Sequence, residues 1–249
     1  MVDTHCHLDS CKADAGELVE KALEAGVIRL ATVGMNDESI DNALAAAEEQ
    51  HGVFAIVGRH PHYTEGWTAA DIEPIERAAA HPLARAIGET GLDYYRDHAP
   101  RDDQRRAFEA QIDLAARTQL PLVIHTREAE NDTFDILRER AYELTVILHC
   151  FSAPGRIDEC VDRGYLCSFA GNVTYPNAEE LRAAARDLPD ELLLVETDSP
   201  YLAPQAVRGK PNQPANVVLT AEFLAGLRDV PYSALESTVE RNAARVFGW

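Results

Sequence analysis

The sequence predicts an α/β protein built as a single (β/α)8 barrel of the TIM type, with room for distortion. Short apolar runs rich in β-branched residues, most of them followed by a helical pattern, begin near residues 2, 28, 53, 84, 121, 145, 165 and 192. Strands that alternate with helices form parallel sheets, and eight such units favour a closed barrel over an open sheet. The chain of 249 residues has the length of one such barrel. With no linker or low-complexity tract in view, we expect one domain over residues 1–249.

Local signals place helices between these runs. Asp14 and Glu17 have the spacing of a capping box, in which side-chain oxygens meet the free amide groups of a first turn. Residues 101–118 carry apolar side chains at helical spacing and predict the clearest helix, while residues 216–249 predict the helices that complete the fold. No glycine-rich dinucleotide motif or Walker loop follows any strand, which weakens the open-sheet alternative.

The charge balance is strongly acidic. The chain holds 42 acidic and 23 basic residues, for a formal net charge of −19. Such a surface repels polyanions, so broad electrostatic binding of nucleic acid is disfavoured and any phosphate must be held locally. A salt-rich cytoplasm would explain the acidic surface, and genome base composition is the alternative explanation.

The five cysteines are an odd number without a C-x-x-C pair, which predicts reduced thiols rather than a disulfide framework or a zinc ribbon. No segment approaches the roughly 18 apolar residues of a membrane span. We see no secretory leader and therefore expect a cytoplasmic protein that has neither a membrane nor an obligate protein partner.

Candidate metal ligands follow the apolar runs. In a strand, residues two apart face the same side, so His5 and His7 project together while Cys6 points away. Barrel enzymes assemble their sites at the carboxyl ends of the strands, where side chains from distant parts of the sequence meet. Imidazole and carboxylate ligands in this number predict two divalent ions, with Zn, Mn, Co or Ni favoured over Mg. The predicted ligands are His5, His7, Glu89, His125, His149 and Asp198.

This donor set predicts hydrolysis by a metal-activated water. Glu89 is the natural bridge because each of its oxygens can bind one ion, and Asp198 can act as a ligand and as the general base. No lysine lies at a strand end to supply a carbamylated bridge instead. Glu196 lies two residues before Asp198, where it either orients the site or is simply a satisfied buried acid.

Phosphate chemistry needs further positive charge near the site. Arg127, two residues after His125, and Arg208 with Lys210 in a Pro- and Gly-rich loop are the predicted phosphate contacts. The alternatives to phosphate binding are that Arg127 forms an ion pair and that Arg208 and Lys210 lie in a solvated loop. His62 is predicted to bind a phosphate or leaving group, against the alternative of a turn histidine.

The remaining histidines and the aromatic residues carry weaker signals. His60 is less persuasive as a site residue than His62. The histidines predicted to face solvent are His51, His81 and His98, and the aromatic side chains that could stack on unpaired bases, or else pack in the core, are Tyr94, Tyr95, Tyr201 and Trp67.

Seven ordered motifs surround these candidates, at residues 2–9 (VDTHCHLD), 58–62 (GRHPH), 88–95 (GETGLDYY), 125–129 (HTREA), 149–152 (HCFS), 196–202 (ETDSPYL) and 208–212 (RGKPN). Over the whole chain they resemble the TatD-type metal-dependent deoxyribonucleases of the amidohydrolase-like barrels. The resemblance implies a barrel with a divalent-metal site of the six ligands and hydrolysis of phosphodiesters, typically 3′-to-5′ trimming of single-stranded DNA. Three residues depart from the usual motifs, Arg59, Ala153 and Gln213, and none of them is a predicted ligand. The resemblance therefore supports the metal site more strongly than it supports the identity of the substrate.

Two other functions remain open from the sequence. The same activated water attacks carbonyl carbon, so an amide, lactone or ester is an alternative substrate, including an aminoacyl ester on transfer RNA. A noncatalytic metal-binding scaffold is the third interpretation, although six intact ligands argue against it.

Overall fold

The computed structural model describes residues Met1 to Trp249 and contains one parallel sheet of eight strands in sequential order. The strands are Val2–Cys6 (β1), Arg29–Gly34 (β2), Val53–Val57 (β3), Ala84–Asp93 (β4), Leu122–Arg127 (β5), Val146–Leu148 (β6), Leu166–Phe169 (β7) and Leu193–Val195 (β8). Each begins within one residue of its predicted position, and the predicted barrel is confirmed.

Nine α-helices accompany the strands. They are Ala15–Glu24 (α1), Asp37–Glu49 (α2), Ile72–Ala79 (α3), Arg101–Thr118 (α4), Glu130–Arg140 (α5), Ile157–Arg163 (α6), Glu179–Asp187 (α7), Val217–Leu227 (α8) and Tyr232–Phe247 (α9). α4 has the bounds expected from its apolar spacing, and α8 with α9 forms the predicted closing pair. Asp14 does cap α1, accepting from the Gly16 amide at 2.9 Å, but Glu17 pairs with Lys21 instead of completing a capping box.

The barrel closes through residues that follow β8. Neighbouring strands from β1 to β8 are paired, whereas β1 and β8 are joined by single hydrogen bonds instead of a ladder. The Asp198 amide donates to the His5 carbonyl at 2.9 Å. The buried Asp3 carboxylate accepts from the Thr197 amide at 2.9 Å and from its hydroxyl at 2.6 Å. This local distortion places the first and last predicted ligands side by side.

The interior is a single cluster of 66 buried apolar residues that extends from Met1 to Phe247. The strands are buried on both faces, because their inner side chains fill the barrel and their outer side chains pack against helices. The βα loops meet at one end of the barrel, here called the mouth. No helix has both the length and the apolar character that crossing a membrane requires.

Gly91 makes close contact between β4 and β5 possible. It pairs with His125, its φ is +137°, and a Cβ at this position would lie 2.0 Å from the His125 carbonyl oxygen. We expect Gly91→Ala to lower the free energy of unfolding by about 2 to 3 kcal/mol, because the added methyl strains the backbone and pushes the strands apart. Urea denaturation of the metal-free protein measures this loss.

Gly226 provides the matched control. It lies in α8, and a Cβ built there has no heavy atom within 4 Å. Gly226→Ala should raise the free energy of unfolding by about 0.5 kcal/mol, as expected for a glycine replaced in a helix. Equal effects of the two substitutions would contradict the close approach at Gly91.

Candidate metal centre

Glu89 lies at the centre of a cluster of imidazoles at the mouth. It is buried in the middle of β4, and each oxygen of its carboxylate faces a different pair of the predicted histidine ligands. Oε2 is 3.3 Å from His5 Nε2 and 3.7 Å from His7 Nε2. Oε1 is 2.7 Å from His125 Nδ1 and 3.0 Å from His149 Nε2. One carboxylate therefore separates two sets of nitrogen donors.

Asp198 completes the set of six predicted ligands. It follows β8 with a φ of +52°, in the left-handed region that aspartate tolerates better than most residues. Its Oδ1 lies 3.4 Å from His7 Nε2 and 3.9 Å from His5 Nε2. The structure thus brings all six predicted ligands into one buried cluster from five strands or their ends.

The donor set fits divalent cations. Nitrogen and oxygen atoms of His5, His7 and Glu89 all lie within 4.8 Å of one another. His125 Nδ1 and His149 Nε2 lie beside the other oxygen of Glu89, at 2.7 and 3.0 Å. The two groups share Glu89. Imidazole with carboxylate is a ligand mixture suited to zinc, manganese, cobalt and nickel.

The carboxylates of the cluster stay ionised although they are buried. Burial opposes ionisation of Glu89, but the charge of His149 and hydrogen bonds from His125 and His149 hold its pKa well below the usual range. Burial likewise opposes ionisation of Asp198, and a hydrogen bond from His7 with the charge of His149 lowers its pKa. Burial opposes protonation of His149, but the charges of Glu89 and Glu196 raise its pKa well above the usual range, so its imidazolium balances part of this negative charge.

Glu196 lies behind His149, completely buried. Its Oε1 accepts from His149 Nδ1 at 3.0 Å and from the Cys150 amide at 2.8 Å. Because Nδ1 is occupied, His149 presents Nε2 to Glu89. This arrangement, in which a carboxylate orients a ligating histidine, is common around protein-bound metals.

Asp93 is a further carboxylate of the site that the sequence analysis missed. β4 continues four residues beyond Glu89 and ends at Asp93, whose Oδ2 lies 2.8 Å from His62 Nε2 and 3.3 Å from His125 Nε2. Burial opposes its ionisation, but hydrogen bonds from His125 and the Arg96 amide hold its pKa below the usual range. The rule that residues two apart share a strand face, applied to Glu89, Gly91 and Asp93, would have found it.

His60 was rated the weaker histidine of its loop, yet it lies inside the cluster. Its Nδ1 accepts from the His62 amide at 3.1 Å, so the neutral ring carries its hydrogen on Nε2, which is 3.4 Å from Glu89 Oε1. Burial lowers the pKa of His60 to about 4 and keeps the ring neutral at physiological pH. His60 is therefore placed as a donor to Glu89, with no lone pair on Nε2 for a cation.

The three basic side chains predicted to contact phosphate, those of Arg127, Arg208 and Lys210, are exposed. Arg127 is exposed, forms no ion pair, and has its guanidinium 4.0 Å from the centre of the Tyr95 ring. Arg208 stacks in the same way on Tyr175, at 4.1 Å, and Lys210 is exposed on the same loop. These cations are available to a ligand, but no contact fixes them toward the cluster.

The other aromatic candidates divide between the surface and the interior. Tyr95 and Tyr201 are each 53% exposed. Tyr94 is half-buried and donates to Asp132 at 2.7 Å. Trp67 is buried in the core, which is the alternative that the sequence left open for it.

The remaining sequence candidates lie outside the cluster. His51 and His98 are exposed as predicted, although the His98 ring lies 4.6 Å from that of His62. His81 is half-buried and contacts a glutamate of α2. Arg59 forms an ion pair with an aspartate at the start of α2, so this departure from the motif points away from the ligands.

Comparison with known proteins settles the family. The family model described as TatD related DNase matches residues 2–248. The chain belongs to the TatD family. It is 42% identical to an uncharacterized metal-dependent hydrolase TatD of Mycobacterium tuberculosis, with 100% of this chain and 98% of that protein covered. It is 34% identical to a 3′-5′ ssDNA/RNA exonuclease TatD of Musicola paradisiaca, with 99% and 97% covered.

A solved structure supports the same assignment. The TatD homologue YJJV from Escherichia coli superimposes with a TM-score of 0.93 at 28% identity, covering 100% of this chain and 98% of that one. The predictions of a TatD-type protein, of a barrel and of a metal-dependent hydrolase are confirmed at the level of the family.

In this TatD family member, removal of the His60 ring should weaken metal binding without removing a ligand. We expect His60→Ala to leave the number of bound ions per chain unchanged and to lower their affinity about 10- to 100-fold, as for other residues that orient ligands. Titration calorimetry with Zn²⁺ or Mn²⁺ measures both quantities. His60→Gln keeps an acceptor and a donor and should recover most of the affinity. A lower number of bound ions in His60→Ala would instead make His60 a ligand.

Proposed function

We propose that this protein hydrolyses phosphodiester bonds at the 3′ ends of single-stranded DNA or RNA, using two divalent cations. The observation that carries the proposal is the position of Glu89, whose two oxygens face separate pairs of histidines. The 34% identical relative named as a 3′-5′ ssDNA/RNA exonuclease supports the choice of substrate.

The proposed ligands divide into two groups that share Glu89. His5, His7 and Asp198 would hold one cation, and His125 with His149 would hold the other. Bound cations lower the pKa of a water and stabilise negative charge that develops on the phosphate. Nitrogen-rich ligation favours Zn, Mn, Co or Ni, with Mg the least suited.

The chain's own groups supply the proton transfers and the orientation. Asp198 is ionised and buried beside His7, so it can accept the proton of the attacking water. His62 is held by Asp93 and remains partly exposed, which supports a role for its ring in binding a phosphate oxygen or the leaving group. Arg127, Arg208 and Lys210 are the proposed phosphate contacts around the mouth, and Glu196 keeps His149 in its ligating orientation.

Carbonyl hydrolysis is the second candidate, and the net charge of −19 favours it. A surface of this sign repels polyanions at low ionic strength, whereas a small neutral amide, ester or lactone is unaffected. An aminoacyl ester on transfer RNA would meet the same repulsion as DNA.

A direct assay separates these candidates. Purified protein is incubated with single-stranded DNA and RNA labelled at either end, and in parallel with amide, lactone and aminoacyl-ester substrates, in Zn²⁺, Mn²⁺, Co²⁺, Ni²⁺ or Mg²⁺. We expect stepwise shortening from the 3′ end that stops on addition of a chelator. Intact strands in every metal, with turnover of a carbonyl substrate, would replace the nuclease assignment. Metal binding with no turnover of any substrate would favour a scaffold.

We also propose a cytoplasmic location. All five cysteines are unpaired in the structure, which supports a reducing compartment. A fractionation experiment with the tagged full-length chain tests this placement.

A further inference from the structure

Two tyrosines at the mouth present their rings to solvent beside the proposed metal centre. Tyr63 follows β3 and Tyr201 follows β8, and they are 48% and 53% exposed. The Tyr63 ring centre lies 6.4 Å from that of His60, and the Tyr201 ring centre lies 6.0 Å from that of His7. The tyrosine hydroxyls that hydrogen-bond within this protein belong to other residues. Both rings therefore border the cluster without a structural role for their polar ends.

Both rings border the cluster, Tyr63 beside His60 and Tyr201 beside His7. Tyr95 differs from this pair because the Arg127 guanidinium already covers one face of its ring. Tyr63 and Tyr201 thus offer aromatic faces next to the site that no guanidinium covers.

The charge of the protein limits what electrostatics can contribute to binding a strand. Three basic side chains are available to contact phosphates, those of Arg127, Arg208 and Lys210. The protein as a whole carries a net charge of −19. For single strands the slope of log K against log salt is about −0.7 per phosphate contact, so three contacts predict a slope of about −2 at most. Stacking of bases on aromatic rings is independent of sequence and does not require a positively charged surface.

We propose that Tyr63 and Tyr201 form a clamp that stacks on unpaired bases at the end of a single-stranded nucleic acid. The inference rests on the proposed nuclease function and specifies how its substrate is recognised. A clamp of this kind accepts any base but requires that the base be unpaired. Recognition should therefore discriminate against paired ends and against ends that lack bases, and it should depend weakly on salt.

The test compares substrates with and without terminal bases. One single strand is ordinary, and the other carries abasic residues at the last two positions of both ends, so that the result is independent of cleavage polarity. kcat and KM for each are measured on wild-type protein, Tyr63→Ala, Tyr201→Ala and the double variant. Tyr142→Ala is the matched control, since Tyr142 is 84% exposed in the loop between α5 and β6, away from the mouth.

We expect each mouth variant to raise KM for the ordinary strand about 5- to 100-fold, the range for loss of one base–aromatic stack, with kcat within about twofold of wild type. The abasic strand should be a poor substrate of the wild type and should lose nothing further in the variants. Metal content should be the same in all of them. The slope of log KM against log salt should not exceed about 2.

Three results would overturn the clamp, and the first two separate its failure from that of the function. If the wild type cuts ordinary and abasic ends equally well, the nuclease assignment stands and the clamp is wrong. If the wild type cuts neither strand in any metal, the nuclease assignment is wrong, and the clamp is wrong too because it depends on that assignment. Equal losses in Tyr142→Ala and the mouth variants would also exclude the clamp.

Discussion

Glu89→Gln is expected to abolish hydrolysis and to remove both cations. The substitution keeps the shape of the side chain but replaces the one carboxylate that lies between His5 and His7 on one side and His125 and His149 on the other. Because the groups of such a site act as a unit, kcat/KM should fall on the order of 10⁴-fold. Metal content per chain, measured by elemental analysis after dialysis, should fall with it.

A stability measurement tests the same residue without relying on activity. A ligand at 100 times its dissociation constant stabilises the folded protein by about 2.7 kcal/mol, so Zn²⁺ or Mn²⁺ should raise the Tm of the wild type. Glu89→Gln should lose this rise. Glu65→Gln, which makes the same change in charge on the exposed loop after β3, should retain both the rise and the activity. Full metal loading of Glu89→Gln would show that Glu89 is not the shared ligand.

The sequence was sufficient to predict that the six candidate ligands meet, because each follows an apolar run and parallel strands bring their carboxyl ends to one mouth. The apolar run is a poorer guide at β4. The run before Glu89 reads as a complete strand, yet the strand continues to Asp93, because Gly91 allows close contact with β5. Asp93 therefore enters the site from the end of a strand that extends past its apolar run.

His60 was undervalued for a different reason. Spacing alone does not distinguish a histidine that binds a cation from one that donates to its ligand, since both lie at the mouth. The distinction depends on which ring nitrogen is already occupied, here Nδ1 by the His62 amide. For Trp67 both stacking and core packing stayed open in the sequence, because no periodic pattern reports which way a loop side chain turns.

Asp198→Asn is expected to lower kcat about 10²- to 10⁴-fold, the usual contribution of a general base, with a smaller change in KM. Asn cannot accept the proton of the attacking water. In the wild type, the low pKa of Asp198 means that the base stays ionised at neutral pH, and activity that depends on it is lost only as the pH falls through that low value. The pH profile of kcat measures this dependence.

The pH profile distinguishes a lost base from a lost ligand. Without an internal base, the rate of Asp198→Asn should rise about tenfold per pH unit as hydroxide replaces the carboxylate. A variant that has merely lost a cation should keep the shape of the wild-type profile at reduced height and should recover at higher metal concentration. Asp9→Asn removes an exposed carboxylate just past β1 and should leave the profile unchanged. A wild-type profile in Asp198→Asn would show that Asp198 is only a ligand. The proton acceptor would then be sought at Asp93, a carboxylate of the site that is not among the predicted ligands and that lies beside His62 and His125.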